Sequence, residues 1–346
     1  MLDSANPMPI IINNANEARG LVFAFQFDAQ GVGMHADFTD AARAATPHGG
    51  YWWVHAHLTD TRCRKWLATQ DWLTEEAHEI LLSQETHDRI EHDEGVLAGV
   101  FVDAKLDFDG RDAEMAELRF AMADRILLTC RRRSLLSVEN TRISIERGKR
   151  IESPLELFEE IVDREADFLA KAASDLGHEV DAIEDKVMAG YISDVRSETP
   201  RMRRRAIKLH RQMSRLLVLF RRVERAPASR LPQDLRDASG RIAQRLESIY
   251  QEVHSAQDRA RLLQDEVSAS LANETNRQLY VLSMLTAVFL PATLVTGFFG
   301  MNTKGLPHAE DDKGTLFAFA VMIAAAAITY VLLRFAMRRG ASRGPT

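Results

Sequence analysis

Cysteine is scarce. Cys63 and Cys130 are the only two in 346 residues, and they are not a CxxC pair. This excludes a disulfide framework and fits a reducing compartment. Proline is absent from Gln233 to Leu290, so nothing in that stretch forces a helix to stop. There is no phosphate-binding P-loop, no dinucleotide glycine fingerprint and no nucleophile elbow, so the chain is not read as an enzyme or as an ATP-driven pump. The opening Met-Leu-Asp-Ser-Ala-Asn-Pro lacks a basic region and an apolar core. No signal peptide is expected, and the long N-terminal part is expected to stay in the cytosol. Charge is missing too, from two places: Leu279–Thr303, 25 residues, and Gly314–Leu333, 20 residues, contain no Asp, Glu, Lys, Arg or His.

The averages hide those two runs. With 44 basic and 50 acidic residues the net charge is −6, and the mean hydropathy is −0.22, as in an ordinary soluble protein. Yet each run, as a helix rising 1.5 Å per residue, can cross roughly 30 Å of hydrocarbon. A lipid bilayer is therefore an expected partner. The segment between the runs carries Lys304 and Lys313 against Glu310, Asp311 and Asp312, whereas Arg334, Arg338, Arg339 and Arg343 follow the second run without an acid. The positive-inside rule then places both termini in the cytoplasm and the segment between the runs outside.

The expected fold class is an α+β cytosolic domain plus a long α-helical stalk and two C-terminal transmembrane helices. Residues 1–150 form the α/β domain, with strands at Leu21–Phe27, Tyr51–Leu58, Gly95–Leu106, Leu118–Thr129 and Leu135–Ile145 and a helix at Asp71–Gln84. Residues 151–230 are long cytosolic helices, from Leu155 to Met188 and from Pro200 to about Val223. Residues 231–278 are the stalk, 279–303 the first transmembrane helix, 304–313 an outer loop, 314–337 the second transmembrane helix and 338–346 a basic tail. In the stalk Ile242, Leu246, Ile249, Val253, Ala256, Ala260, Leu263 and Val267 alternate steps of four and three, a coiled-coil pattern. It predicts one helix over 233–299, roughly 100 Å long, bundled with copies of itself and with the two preceding helices.

The first run is not a plain anchor. Asn276, Ser283, Thr286, Thr293 and Gly297 recur at intervals of 7, 3, 7 and 4, with Leu279, Leu282 and Leu290 near the same face. Repeated around a ring of identical helices, such a stripe can line a narrow wet path; alternatively the hydroxyls bond back to their own helix and pack. Neither run supplies His, Cys, Asp or Glu. No inner-sphere zinc site and no proton-relaying group is expected inside the membrane. Glu310, Asp311 and Asp312 are read as an outer cluster that attracts cations.

At the end of this run stands Gly300-Met301-Asn302. Placed there, and with the flanking Asn276-Arg-Gln-Leu-Tyr-Val-Leu-Ser283 and Phe289-Leu-Pro-Ala-Thr-Leu-Val-Thr-Gly297, it resembles the signature of the CorA-type divalent-cation transporters. Trp53-Val-His-Ala-His-Leu58, Arg64-Lys-Trp-Leu67 and Thr303-Lys-Gly-Leu-Pro307 look most like the zinc-transporting branch, ZntB, although Met301 matches the magnesium-type form. The resemblance implies a homopentamer whose first transmembrane helices surround the pore, with Asn302 at the mouth, Gly300 permitting close backbone approach and Met301 holding the turn. It assigns Asn276 and Thr293 as polar pore positions and Leu279, Leu282 and Leu290 as constrictions. Ser283, Thr286 and Gly297 come from helical spacing. The implied cargo is Zn²⁺, alternatively Mg²⁺ or Co²⁺, with no cofactor. A membrane-anchored sensor or scaffold is the reading from a different class.

Three side features have milder readings. His55 and His57 share a strand face near Cys63, but a packed pair is preferred over a zinc site. His87, His92, Asp93 and Glu94 are loose candidates for a cytosolic cation site. Arg201–Arg230 holds 11 Lys/Arg and one acid, Glu224. Pairing with the acidic helix before it, through Glu156, Glu159, Glu160, Asp163, Glu165 and Asp167, is preferred over nucleic-acid binding, and no nucleic acid is expected as a partner.

Overall fold

The computed structural model describes residues 20–36, 50–84, 87–104, 115–301 and 314–341. It divides into two units, Met1–Gln264 and Asp265–Thr346.

The first unit is built on a seven-stranded sheet. Its strands are β1 (Leu21–Phe27), β2 (Gly33–His35), β3 (Tyr51–His57), β4 (Arg89–Asp93), β5 (Val96–Ala104), β6 (Met115–Ala123) and β7 (Ile126–Arg131), in spatial order β2-β1-β3-β7-β6-β5-β4. Every pairing is antiparallel except β3 with β7. The alternation of β3 explains why the sheet is covered on both faces. Trp52, Val54 and Ala56 enter one apolar cluster, with Cys63, Trp66 and Leu67 of α1 (Thr61–Leu67) and Ala77, Ile80 and Leu81 of α2 (Glu75–Leu82). Tyr51 and Trp53 enter the other cluster, on the side of the long helices.

Two expected strands are corrected. Leu118–Thr129 is not one strand: Asp124 and Arg125 form a two-residue connection, and Ala123 pairs with Ile126 as β6 turns into β7. A two-residue loop is enough to reverse an antiparallel pair. Leu135–Ile145 is mostly a helix, α3 (Leu136–Glu146). Its β-branched residues suggested a strand, but Val138, Thr141 and Ile145 are the buried positions, three and four apart. Two of the polar side chains are buried with bonds of their own: Ser137 Oγ donates to Asp103 Oδ2 at 2.5 Å, and Thr141 Oγ1 donates to the Ser137 carbonyl at 2.9 Å. The helix expected at Asp71–Gln84 is confined to α2, capped by Thr74, whose Oγ1 accepts from the Ala77 N–H.

The long helices follow the sequence closely. Helix α4 (Pro154–Met188) starts where Ser153 accepts the Glu156 N–H, with Pro154 in the first turn, where its missing donor costs nothing. A single turn, α5 (Ile192–Val195), leads to α6 (Glu198–Glu224) and then to α7 (Gln233–Phe299), which continues through Pro291 without ending. Within the first unit α4 and α7 run parallel, because Glu159 meets Arg241, Asp163 meets Arg245 and Asp181 meets Arg259. Helix α6 runs against α7, since Arg203 meets Gln264, His210 meets Tyr250 and Arg221 meets Glu247.

Every residue of the predicted stripe from Ile242 to Val267 is buried. From Ile242 to Val253 it joins Leu157, Phe158 and Ile161 of α4 and Met213, Leu216 and Phe220 of α6 in one cluster. The chain's own helices thus cover the stripe there, as the expected bundling with the two preceding helices requires. The expected charge pairing is also corrected. Five carboxylates of α4 find arginines of α7, whereas α6 meets Glu179 with Arg205 and donates from Gln212 to Glu165.

The second unit contains the rest of α7 and α8 (Gly314–Ala341), whose described apolar portion is Leu316–Leu332.

Candidate pore segment

The part of α7 that ends at Phe299 is long and apolar enough to cross a membrane, and none of its most apolar 18-residue window, of mean hydropathy 1.9, is buried. Leu279, Leu282, Leu290 and Leu294 are 54%, 61%, 68% and 73% exposed. An uncovered apolar surface of this extent calls for lipid or partner helices.

The helix is not uniform around its circumference. Met284, Ala287, Pro291 and Val295, spaced by three and four, are partly covered. Asn276, Leu279, Leu282, Ser283, Thr286, Leu290, Thr293 and Gly297 are all exposed. At roughly 100° per residue these eight spread over about 120°, centred about 125° from the covered positions, with Asn276 and Ser283 at the edge nearest to Ala287. The face read from sequence as pore-lining is therefore brought together on one helix and left open by the chain itself. Helix α8 likewise has one partly covered face, including Ala318, Met322, Ala325 and Thr329.

The threonines do bond back to their own helix. Thr286 Oγ1 donates to the Leu282 carbonyl and Thr293 Oγ1 to the Phe289 carbonyl, both at 2.9 Å. This does not remove them as pore groups. A hydroxyl that donates its proton backwards keeps its oxygen lone pairs as acceptors, so each threonine still offers an acceptor of fixed direction. Pro291 cannot donate to Ala287, which leaves a second kind of oxygen on this helix with one bond fewer.

At the end of the helix the Gly300 N–H donates to the Thr296 carbonyl at 2.8 Å. A Cβ on residue 300 would lie 2.8 Å from that same oxygen, so only glycine fits this closing turn. Met301 follows, half exposed. Gly297 has open space where a Cβ would stand, so nothing in this single chain demands a glycine there. Asn302, Glu310, Asp311 and Asp312 lie outside the described residues.

The side features resolve on their own geometry. His55 is fully buried between the sheet and the long helices, stacked on Phe23 with its Nδ1 2.8 Å from Thr129 Oγ1. His57 Nδ1 is 2.7 Å from Thr59 Oγ1, and Cys63 belongs to the cluster on the opposite face of the sheet. Among the described residues no three His, Cys, Asp or Glu side chains group to hold a metal. His92 Nδ1 instead lies 3.0 Å from the Arg230 carbonyl.

Burial, helped by the nearby Arg131, holds His55 well below its ordinary protonation range. His57, for the same two reasons, and His210, through burial and the neighbouring His254, shift the same way. These rings hold a proton less readily when folded than when unfolded. The stability they contribute is whole above the unfolded value near 6.5 and is lost as pH falls through and below it. Denaturant unfolding of the wild type is expected to weaken from pH 7 to pH 5, and His55→Gln is expected to flatten part of that slope. An unchanged slope would show that His55 is protonated when folded.

With this geometry in place, comparison with known proteins decides the family. The sequence matches the family described as CorA-like Mg²⁺ transporter protein over residues 48–338. The chain belongs to that family. It is thereby placed among divalent-cation transporters of the CorA type. Within the family it is similar to the zinc transport protein ZntB of Yersinia pestis, 26% identical over 332 residues, which span 94% of this chain and 99% of that one. It is also similar to the divalent cation transporter CmaX of Pseudomonas aeruginosa, 24% identical over 302 residues, 87% of this chain and 91% of that one. Its fold is shared with the full-length CmaX structure (TM-score 0.76, 24% identity, 91% of this chain and 97% of that one). The CorA magnesium transporter of Methanocaldococcus jannaschii has the same fold (TM-score 0.69, 17% identity, 90% and 98%).

Proposed function

We propose that this chain conducts hydrated Zn²⁺ across the inner membrane, through a homopentameric pore lined by the Asn276–Gly297 face of α7 and closed at its outer mouth by Gly300, Met301 and Asn302. Both termini lie in the cytoplasm. The observation that carries the reading is the division of α7 into a partly covered face and an open one that gathers the hydroxyls, Asn276 and the leucines. One chain offers only one such helix, so a path needs several copies. Similarity to ZntB proteins along almost the whole length supports Zn²⁺.

The chemistry of the face sets the mechanism. Its polar groups are neutral oxygens, which suit the water shell of a divalent ion better than the bare ion. Direct zinc ligation prefers nitrogen, sulfur or carboxylate. The ion therefore keeps its shell past Thr293 and Thr286, and the leucines narrow the path between them. Glu310, Asp311 and Asp312, fivefold repeated, raise the local cation concentration at the mouth. The span holds no carboxylate or imidazole to relay a proton, so coupling to a proton gradient would have to use water, the loop or cytosolic groups.

The same neutral lining favours a second cargo. Mg²⁺ sheds its water reluctantly, and Met301 matches the magnesium-type motif, so uptake of Mg²⁺ or Co²⁺ is the alternative. Flux of Zn²⁺ and Mg²⁺ into proteoliposomes, measured in parallel with and without a pH gradient, separates the two. Zn²⁺ flux exceeding Mg²⁺ flux is expected. The reverse order makes the protein a magnesium channel, and no flux of either ion through folded protein makes it an anchored sensor or scaffold.

A further inference from the structure

The basic helix α6 leaves a charge unaccounted for. Along one of its edges Arg204, Lys208, Arg211 and Arg215 recur at intervals of four, three and four, so their side chains stand one above another. They border a cavity of about 360 Å³ whose apolar wall is Val102 of β5 and Ile207. Arg215 is engaged by Asp88, at 2.6 and 2.8 Å. Arg204, Lys208 and Arg211 are exposed, and none has an ion pair among the described residues. The contrast within the same bundle is sharp: on α7, Arg241, Arg245 and Arg259 all reach carboxylates of α4.

Like charges three and four residues apart weaken a helix. An array of this kind, in a chain of net charge −6, is stabilised when a polyvalent anion bridges it. Arg204, Lys208 and Arg211, the three that Asp88 leaves over, rise across seven residues, about 10 Å at 1.5 Å per residue. That is too long for one phosphate and suits a chain of phosphates. The cavity lies within the usual range for small-molecule sites, and its Val102–Ile207 wall offers an apolar seat beside the charges. We propose that this groove binds a soluble polyphosphate-bearing anion of the nucleoside triphosphate class. Arg204, Lys208 and Arg211 hold the phosphates, and Val102 and Ile207 receive the base. The site lies in the first unit, apart from the pore segment, and does not depend on which cation the protein carries.

The test is calorimetric titration of the full-length protein in detergent and metal-free buffer. Three probes are used: ATP, inorganic pyrophosphate and the water-soluble lipid dihexanoylphosphatidylglycerol. ATP is expected to bind saturably, more tightly than pyrophosphate, and to weaken as salt rises. The triple variant Arg204→Gln, Lys208→Gln, Arg211→Gln is expected to lose at least about tenfold in ATP affinity, because charge-assisted phosphate contacts are removed. Its unfolding midpoint should stay at or above the wild-type value. Absence of saturable ATP binding, or ATP affinity unchanged in the triple variant, overturns the proposal. Tighter binding of the lipid than of ATP overturns the soluble ligand, and pyrophosphate equal to ATP overturns the nucleoside. If the triple variant unfolds, the single Arg204→Gln, with an intermediate loss expected, takes its place.

Discussion

Replacing Asn302 by alanine is expected to cut divalent-cation flux in proteoliposomes at least tenfold and to narrow the ratio between Zn²⁺ and Mg²⁺. In a fivefold ring the substitution removes five carboxamides at once. In the proposed pore each side-chain carbonyl would accept a bond from water polarised by the ion, and hydrogen bonds to charged species contribute about 1.5–3 kcal/mol. Loss of one or two of them in the limiting step already exceeds a tenfold change, since 1.4 kcal/mol is a factor of ten. Asn302→Asp is expected to keep or raise flux at neutral pH, because it retains acceptor oxygens and adds negative charge. Light scattering on the same preparations checks that each remains an oligomer. Unchanged flux and selectivity in Asn302→Ala would remove Asn302 from the mouth.

The features legible in the sequence are those with long or chemically strict periods. The stripe from Ile242 to Val267 states a helix, its register and its buried face in one pattern, and all eight positions are buried. Pro154 and Ser153 mark the start of α4 by capping chemistry. Short elements were less legible, because a few residues satisfy two periods at once. Leu135–Ile145 contains a β-branched alternation and a helical spacing together, and the sheet contact through Ser137 and Asp103 decides for the helix. Polar residues deciding structure by tertiary contact are invisible to a pattern search. The same holds for charge. The acid-rich α4 and arginine-rich α6 are neighbours in sequence, yet Glu159, Asp163, Asp167, Asp181 and Glu184 of α4 are met by arginines roughly eighty residues on, on the parallel α7. At the pore segment, spacing alone brought the open face together, but it could not show that Thr286 and Thr293 direct their protons backwards.

Phe158→Ala is expected to destabilise the first unit by about 3–5 kcal/mol, the usual cost of truncating a buried phenylalanine. Phe158 sits where the sheet meets the bundle. Its ring centroid lies 4.5 Å from Phe120 of β6, 6.2 Å from Phe101 of β5 and 6.5 Å from Phe220 of α6. Those partners come from three different elements, so no single neighbour can move to fill the hole without leaving another contact. Edge-on and tilted ring pairs add a favourable increment beyond burial. Against a typical total of 5–15 kcal/mol, the loss is a large share. Phe158→Leu preserves most of the volume and is expected to cost less than half as much. Denaturant unfolding can be followed by tryptophan emission, because all four tryptophans, Trp52, Trp53, Trp66 and Trp72, lie in this unit. A cost below about 1 kcal/mol for Phe158→Ala would mean that the site collapses freely.

The order of the clusters along the chain also bears on biosynthesis. Both apolar clusters of the first unit are complete by Val253, and the apolar stretch begins at Leu279. A growing polypeptide therefore has all the material for its aqueous core in hand before any lipid-seeking residue is added, and domains tend to close in that order during translation. The most water-averse part of the molecule is made when the stretch before it already has somewhere else to bury its leucines, which lowers the chance that the two hydrophobic surfaces trap each other on the ribosome.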